Sequence, residues 1–417
     1  MTRKYWVLLH RYAGIYLAFY LIVAGATGSL ISFHKELDHA INPALFRAMP
    51  ANTVFDAPSL IEQAEILVPE GRVTDIILKR EPEQAIMMRM EPRINPATNE
   101  PYVLDFTQLY LDPYTGLETG RRKFGDFSQG FVNLMPFIYQ FHYSLALGKV
   151  GSWLFGIAAI IWMFDCFVGF YLTLPLRNSD TQRSYGQRWK PAWLVKWRAG
   201  TTRVNFDLHR ATGLWVWPML LVFAWSGVYF NLGEQVYKPV MQVFFEFHDP
   251  REDLPKRDKP LEQPMLSWRE ALEAGRKRMT EQALRHGFIV EHEVWLALDR
   301  EHGVYHYGVH SDRDIAKWSQ TQVILDANNG TLKTLSLPSG QYAGNTVTNW
   351  LSALHQGEVF GLPYRIFVCV LGIMIVMLSV TGIVIWLKKR RARTSLQRAN
   401  LQRIDGQIKS ESRYRKT

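Results

Sequence analysis

Four apolar runs, each long enough to cross a lipid bilayer, constrain this chain more than any other feature. They cover residues 7–33, 150–176, 208–232 and 362–387. A transmembrane helix needs about 20 mostly apolar residues, so each run predicts one membrane span. The stretches between them are polar enough to fold in water. The sequence therefore predicts a membrane protein, an α-helical four-span bundle that carries two soluble α+β domains, residues 35–149 and 233–361.

A cleaved signal peptide is the alternative interpretation of the first run. Basic residues precede the run, and Ala24-Gly25-Ala26 is similar to a cleavage site. However, the run is longer than the apolar core of a signal peptide, and it contains His10 and Arg11. Residues 1–34 are therefore predicted to form a cytoplasmic N-terminus and a retained first span.

Basic residues cluster in three segments that flank the predicted spans. Residues 1–4, 177–208 and 388–417 together hold 20 Lys and Arg against four Asp and Glu, in a chain of net charge +10. Positive charge beside spans marks the cytoplasmic side of a membrane. The linker 177–207 and the tail, the latter expected to be partly disordered, are therefore predicted to be cytoplasmic, with the soluble domains outside. This distribution does not indicate a nucleic-acid-binding surface.

Each soluble segment is predicted to contain a helix, then strands, then a turn. Ser59 and Ser267 mark the starts of the two helices. Alternating apolar and polar residues predict strands at 72–79, 85–90 and 102–111, and again at 288–298, 303–310 and 320–326. The turns are Asp112–Gly116 and Asp326–Gly330.

The sequence lacks the motifs of several enzyme classes. Only two cysteines are present, Cys166 and Cys369, and both lie in apolar runs, so disulfides, cysteine zinc sites and iron–sulfur clusters are unsupported. No glycine-rich nucleotide motif and no hydrolase motif occurs. Electrons from a nicotinamide would therefore have to come through a partner protein.

Histidines recur in register along the chain and indicate an internal duplication. The distance from a histidine to a later glycine is 18 residues in the first and third runs, and 27 residues at the second and fourth. Such self-similarity predicts two halves related by an axis along the membrane normal. The pairs are His10 with Gly28, His209 with Gly227, His142 with Gly169, and His355 with Gly382.

The four histidines are candidate haem ligands. The predicted orientation puts His10 and His209 near the inner surface, and His142 and His355 at the outer surface. A twofold axis would bring the members of each pair face to face. Two imidazoles held between helices suit bis-histidine ligation of a b-type haem, so two haems and a transmembrane electron path are predicted.

Arginines follow both inner histidines. Arg11 and Arg210 are expected to bind haem propionates through charge-assisted hydrogen bonds. The alternative for a histidine at the membrane interface is a snorkelling or hydrogen-bonded side chain without a ligand role.

The outer pair requires a break in the chain. His142 lies 21 residues before the middle of its span, so a straight helix would carry it away from the bilayer. Gly148 and Gly151 are the expected break. His34, at the outer end of the first span, is the alternative outer ligand.

Two further features have open or negative interpretations. Asp165 lies within the second span, where an acid is either functional or part of a helix–helix hydrogen bond. His302, His306 and His310 form an evenly spaced series, but in a strand they would be about 13 Å apart, too far for one metal ion.

The sequence resembles a known membrane-protein family. The stretches His10–Gly14 and Gly28–Asp38 are similar to PepSY-associated transmembrane helix proteins, and the two turns are similar to those of PepSY domains. The resemblance extends over residues 5–390. The middle of the second soluble domain departs from the usual PepSY pattern.

The resemblance implies a bacterial inner-membrane iron reductase that contains haem b and acts on ferric siderophores in the periplasm. It also implies that His10, His142, His209 and His355 ligate haem iron. The expected partners are a ferric siderophore, the lipid bilayer, a cytoplasmic electron donor and periplasmic siderophore-handling proteins, with no nucleic acid. The alternatives are a membrane-anchored PepSY protein that binds peptides or regulates a protease, and a haem subunit of another reductase.

Overall fold

A computed structural model describes residues 2–176, 183–250, 252, 254–316 and 320–414. The chain divides into two compact units. The helical unit comprises Met1–Ser29, Ser152–Asn231 and Cys369–Thr417, and the sheet unit comprises Leu30–Gly151 and Leu232–Val368. The first six residues of the predicted cytoplasmic linker, 177–182, lie outside the described residues.

The described residues contain thirteen α-helices and eight strands. The helices are α1 (Arg3–Ile31), α2 (His34–Ile41), α3 (Pro43–Phe46), α4 (Ala57–Leu67), α5 (Leu134–Ser144), α6 (Gly148–Thr173), α7 (Tyr185–Trp189), α8 (Thr201–Trp215), α9 (Trp217–Leu232), α10 (Lys238–Met241), α11 (Trp268–His286), α12 (Ala343–Gln356) and α13 (Gly361–Tyr414). The strands are β1 (Gly71–Ile77), β2 (Ile86–Pro92), β3 (Gln108–Leu111), β4 (Glu118–Arg122), β5 (Val290–Asp299), β6 (Val304–Ser311), β7 (Thr321–Asp326) and β8 (Leu332–Ser336).

Among the described residues, three helices are long and apolar enough to cross a membrane: α1, α6 and the first part of α13. The predicted third span is bent by 71° between Thr201–Trp215 and Trp217–Met241, and it makes a fourth span only if both pieces count as one. Pro218 follows the break directly, and its ring cannot continue a regular helical hydrogen-bond ladder. The bend therefore has a local cause in the sequence.

The end of the chain differs from the prediction. The tail was expected to be partly disordered. Instead α13 continues as a helix past Lys388–Arg391 to Tyr414. The tail has few helix breakers and many good helix formers, which explains why the helix does not stop at the charges.

Small residues bring the helices of the helical unit close together. A Cβ on Gly25 of α1 would lie 2.6 Å from the carbonyl oxygen of Gly372 in α13. One turn further on, Ser29 donates a hydrogen bond of 2.8 Å to the carbonyl of Cys369. Helices α6 and α9 also approach closely, because a Cβ on Gly227 of α9 would lie 3.1 Å from the Cβ of Ala159 in α6. Close approach at small residues is the usual way in which membrane helices pack.

The strands of both soluble segments form one sheet. Its order is β4-β3-β2-β1-β5-β6-β7-β8, and all neighbours are antiparallel. The central pair β1–β5 aligns Ile76 with Leu296 and so joins the two four-stranded halves. The sequence predicted two soluble domains, but their strands share this single eight-stranded sheet.

Helices α4 and α11 pack on the sheet and close a common core. Ile61 of α4, Leu272 of α11, Met88 of β2 and Val323 of β7 are all buried in it. Asp56 caps α4 by accepting a hydrogen bond from the backbone of Ser59, so the cap is Asp56 rather than the predicted Ser59. Ser267 caps α11 as predicted, in a reciprocal capping box with Glu270.

Six of the eight strands fall at predicted stretches, although β3 covers only Gln108–Leu111 of the predicted 102–111. Both predicted turns are present, with Gly116 at φ +70° and Gly330 at φ +68°. Each turn leads into a short edge strand, β4 or β8, that the sequence analysis did not predict. Those strands are polar and only partly buried, so their apolar pattern is weak.

Candidate functional site

The two inner histidines face each other within the helical unit. His10 lies on α1 and His209 on α8, with ring centroids 6.1 Å apart and ring planes at 55°. A bond from a metal to an imidazole nitrogen is about 2 Å long, and the ring centre lies about 1 Å behind that nitrogen, so two imidazoles on opposite sides of one metal have centroids about 6 Å apart. The observed separation therefore fits a pair of axial ligands.

Each inner imidazole is held through its Nδ1 atom. Nδ1 of His10 lies 2.9 Å from Oδ1 of Asp165 on α6. Nδ1 of His209 lies 3.0 Å from the carbonyl of Leu378 and 3.1 Å from the hydroxyl of Thr381, both on α13. A partner at Nδ1 fixes the ring orientation and favours the tautomer in which Nε2 carries the lone pair.

A glycine lies against each inner ring. A Cβ on Gly169 would lie 3.4 Å from Cε1 of His10, and a Cβ on Gly382 would lie 3.2 Å from Cε1 of His209. Both contacts are tight enough that a larger side chain would push the ring aside. Gly169 and Gly382 each follow an outer histidine by 27 residues in the sequence. In the structure each of them lies against one of the two inner rings.

The two outer histidines also meet, within the sheet unit. His142 lies near the end of α5 and His355 near the end of α12, with ring centroids 6.3 Å apart and ring planes at 74°. Burial, with a smaller contribution from the neighbouring His142 ring, lowers the pKa of His355 to about 3. His355 is therefore neutral at physiological pH, as a metal-binding imidazole must be.

Both outer histidines lie on helices separated from the following span by a sharp break. After α5, Leu145 and Ala146 have positive φ values of 53° and 56°, and α6 begins at Gly148. A Cβ on Gly151 would overlap the backbone of Ser144, so α6 passes directly against the end of α5. The break expected near Gly148 and Gly151 is therefore present.

The residues of both pairs suit a group that takes two axial imidazoles. Each pair has a centroid separation of about 6 Å, which fits two imidazoles on opposite sides of one metal. At the inner pair, Nδ1 of each ring has a hydrogen-bond partner, and a glycine without a side chain lies against each ring. These features fit a bis-histidine haem site and are unnecessary for isolated interfacial histidines.

The family comparison bears on the same part of the chain. The model of a family described as the PepSY-associated TM region matches residues 7–389, which include all four histidines. The chain belongs to this family. A search of curated proteins finds no significant match. Membership of the PepSY-associated TM region family agrees with the membrane helices and confirms the family resemblance noted in the sequence.

The arginines beside the inner pair differ in their surroundings. Arg210 donates to Oδ1 of Asp207 at 2.8 Å and to the carbonyl of Pro191 at 2.6 Å. Asp207 is fully buried and also accepts from Arg203. Arg210 thus has a structural partner, and its predicted role with a propionate stays a prediction. Arg11 is partly exposed, and we find no ion pair for it among the described residues.

His34, the alternative outer ligand, is not part of either pair. Its side chain is exposed, and its Nδ1 lies 3.2 Å from the carbonyl of Ile31 in the preceding turn. The candidate outer ligands that the structure brings together are therefore His142 and His355.

The evenly spaced histidines lie in or beside β6, as the strand prediction requires. Nδ1 of His302 lies 2.7 Å from Oδ2 of Asp299, and Nε2 of His306 lies 4.0 Å from the same atom. Nδ1 of His306 lies 3.1 Å from Gln322, whereas Nδ1 of His310 lies 3.2 Å from Glu291. The three rings therefore do not converge on one point.

Sequence reasoning missed two kinds of residue at the inner pair. Thr381 was not singled out, because a hydroxyl within an apolar run gives no signal without knowledge of its neighbours. Gly169 and Gly382 were noted as register markers only, although their matched spacing from His142 and His355 already pointed to a shared role. Asp165, left open in the sequence, is a hydrogen-bond partner of His10.

Proposed function

We propose that this protein is a haem-containing membrane oxidoreductase of the bacterial inner membrane, which carries electrons outward and reduces ferric siderophore iron in the periplasm. The observation that supports this most directly is the His10–His209 pair, with its 6.1 Å separation and its engaged Nδ1 atoms. A bound haem supplies a one-electron couple between Fe(II) and Fe(III). The substrate is the siderophore iron itself.

The chain's own residues hold and tune this site. His10 and His209 would hold the haem iron through Nε2, because Nδ1 of each ring is committed to a partner on a neighbouring helix. Asp165 supplies a negative charge on one side only, since the repeat-equivalent residue is Leu378.

A second pair, His142 and His355, extends the path. In the proposed orientation the basic segments lie in the cytoplasm, so electrons enter at the inner pair and leave through the outer pair. The donor is a cytoplasmic partner that the sequence does not identify. Transfer of one electron converts the substrate iron to Fe(II), which binds hard oxygen ligands more weakly and so leaves the siderophore.

The sheet unit offers a groove for the substrate. The groove has a volume of about 490 Å³, is open to solvent, and lies where the two halves of the sheet meet. We propose that the ferric chelate docks there, because the charged lining has one more basic than acidic side chain and so suits an anionic ligand. Arg269 pairs with Asp56 and Arg276 with Glu293. The charged lining is Asp56, Lys79, Arg80, Arg269, Glu273, Arg276 and Glu293.

Visible spectroscopy of the purified protein tests the proposal. The detergent-solubilised protein should show a Soret band and, after dithionite reduction, a sharp α band, with close to two haems per chain. Adding a ferric siderophore to the reduced protein without oxygen should return the oxidised spectrum. Absence of haem from protein expressed with ample haem supply would refute the proposal and favour a membrane-anchored peptide-binding role. Haem without oxidation by siderophores would favour a subunit of another reductase.

A further inference from the structure

A second group of histidines lies in the sheet unit, away from both paired sites in the sequence. His292 of β5 and His310 of β6 are direct cross-strand partners. Their rings are stacked, with centroids 5.2 Å apart and planes within 5° of parallel. Cross-strand partners have Cβ atoms only about 5 Å apart, so small side-chain rotations can aim both imidazoles at one point.

An irregularity in β5 adds a carboxylate to this pair. The register between β5 and β6 shifts between Val290 and His292, so Glu291 has no partner of its own. In a regular strand Glu291 and His292 would point to opposite faces of the sheet. A bulge removes that alternation and re-aims one side chain. Oε2 of Glu291 thereby comes within 3.2 Å of Nδ1 of His310.

The three side chains already have the spacing of a metal site. One ligand atom from each of Glu291, His292 and His310 lies within 4.8 Å of the other two. Ligands bound at about 2 Å around a tetrahedral ion are roughly 3–4 Å apart, so only a small closure is needed. Other His and acidic residues in the described part of the chain form no comparable group.

Two polar atoms at this place lack a hydrogen bond. Nδ1 of His310 is shielded from solvent and forms none, although Glu291 is near. Oδ2 of Asp314, whose charge acts on His310, is also shielded and without one. Buried polar atoms are usually satisfied, and a bound ion is one explanation for those that are not.

The charges near the group are mixed. Lys79 is close enough to act on His292, and so are the acidic Glu81 and Glu291. Nζ of Lys79 lies 3.5 Å from Oε1 of Glu81, which offsets part of its repulsion toward a cation.

We propose that Glu291, His292 and His310 bind a divalent first-row transition-metal ion such as Zn²⁺ or Fe²⁺. Two imidazoles and one carboxylate suit these ions and not Mg²⁺ or Ca²⁺, which prefer oxygen ligands alone. Three protein ligands leave a position open for water, so the ion exchanges with solvent. His292 also lines the solvent-open groove, which gives the ion a path in. The site does not depend on haem.

Calorimetric titration of the full-length, detergent-solubilised protein with ZnCl₂ tests this site after treatment with EDTA. We expect one Zn²⁺ per chain that is lost, or weakened at least about tenfold, in both His292→Ala and His310→Ala. His302→Ala is the matched control, because His302 precedes the same strand but pairs with Asp299, and it should bind like the wild type. Equal affinity in the wild type and both variants, or no binding by the wild type, would overturn the proposal.

A second measurement covers the case in which the alanine variants do not fold. Diethyl pyrocarbonate modifies accessible histidines, and mass spectrometry locates the products. In the wild type, Zn²⁺ should slow modification of His292 and His310 severalfold while leaving the exposed His286 unchanged. Equal rates with and without Zn²⁺ would contradict the site.

Discussion

The Oδ1 atom of Asp165 lies 2.9 Å from Nδ1 of His10, and the matching imidazole, His209, has no carboxylate there. Its Nδ1 meets the neutral carbonyl of Leu378 and the hydroxyl of Thr381 instead. The two sides of the inner pair are thus electrostatically unequal, although each histidine precedes a glycine by the same 18 residues. A carboxylate partner makes an imidazole a stronger donor and favours the more highly charged metal.

If the proposed haem binds at the inner pair, replacing Asp165 by Asn should raise its reduction potential. The amide keeps the size of the side chain but removes its charge, so the oxidised form loses stabilisation. We expect an increase of about 60 mV, equivalent to a tenfold change for one electron. A spectroelectrochemical titration of the purified protein measures the shift.

Thr381→Val is the control for that titration. It removes the hydroxyl near His209 but leaves the carbonyl of Leu378 as a partner for Nδ1. The potential should change by less than about 20 mV, because no charge is lost. Equal shifts in the two variants would show that the carboxylate charge of Asp165 has no special effect.

Removing one histidine from each pair should remove one haem at a time. His209→Ala deletes an inner ligand and His355→Ala an outer one, so each variant should retain about half of the wild-type haem. Haem per chain is measured from the pyridine haemochrome spectrum. His286→Ala, at the exposed end of α11, should retain the full amount. If either ligand variant keeps the wild-type haem content and spectrum, that pair is not a haem site.

The contact between Gly25 and Gly372 should limit the size of side chain that α1 tolerates. Gly25→Ala places a Cβ 2.6 Å from a carbonyl oxygen of α13, and overpacking of this kind costs about 1–3 kcal/mol. Gly14→Ala is in the same helix, where no atom lies within 4 Å, and should be neutral or slightly stabilising. Thermal unfolding in detergent compares the two; similar midpoints would contradict the close packing.

Two adjacent arginines in β4 should differ strongly in their effect on the stability of the sheet unit. Arg122 is buried and lies 2.9 Å from the buried Asp38, so Arg122→Met leaves an unpaired charge and should cost about 3–5 kcal/mol. Arg121 pairs with Glu118 at the surface, so Arg121→Met should cost less than about 1 kcal/mol. Thermal unfolding followed by circular dichroism measures the stability of the two variants. An equal loss of stability in both would mean that burial does not strengthen the contribution of the Arg122–Asp38 pair.

The polar edges of the fold were harder to predict than its apolar parts. The strands that line the core carried a clear alternation, whereas β4 and β8 are short and polar and were missed. The single sheet was also beyond prediction, because pairing of Ile76 with Leu296 joins residues more than two hundred positions apart. Local pattern does not report which strands from distant segments become neighbours.

The sequence by itself determined where the chain is apolar and which histidines stand at matched spacings from a glycine, because run length and spacing are properties of the chain alone. Its resemblance to a known family pointed to the PepSY-associated TM region, whose model matches residues 7–389. Only the tertiary structure decided that His10 meets His209 and His142 meets His355, and that Asp165 holds one of these rings. It also brought Glu291, His292 and His310 together through a bulge. Such contacts depend on helix crossing and strand register, which arise from packing across the whole fold.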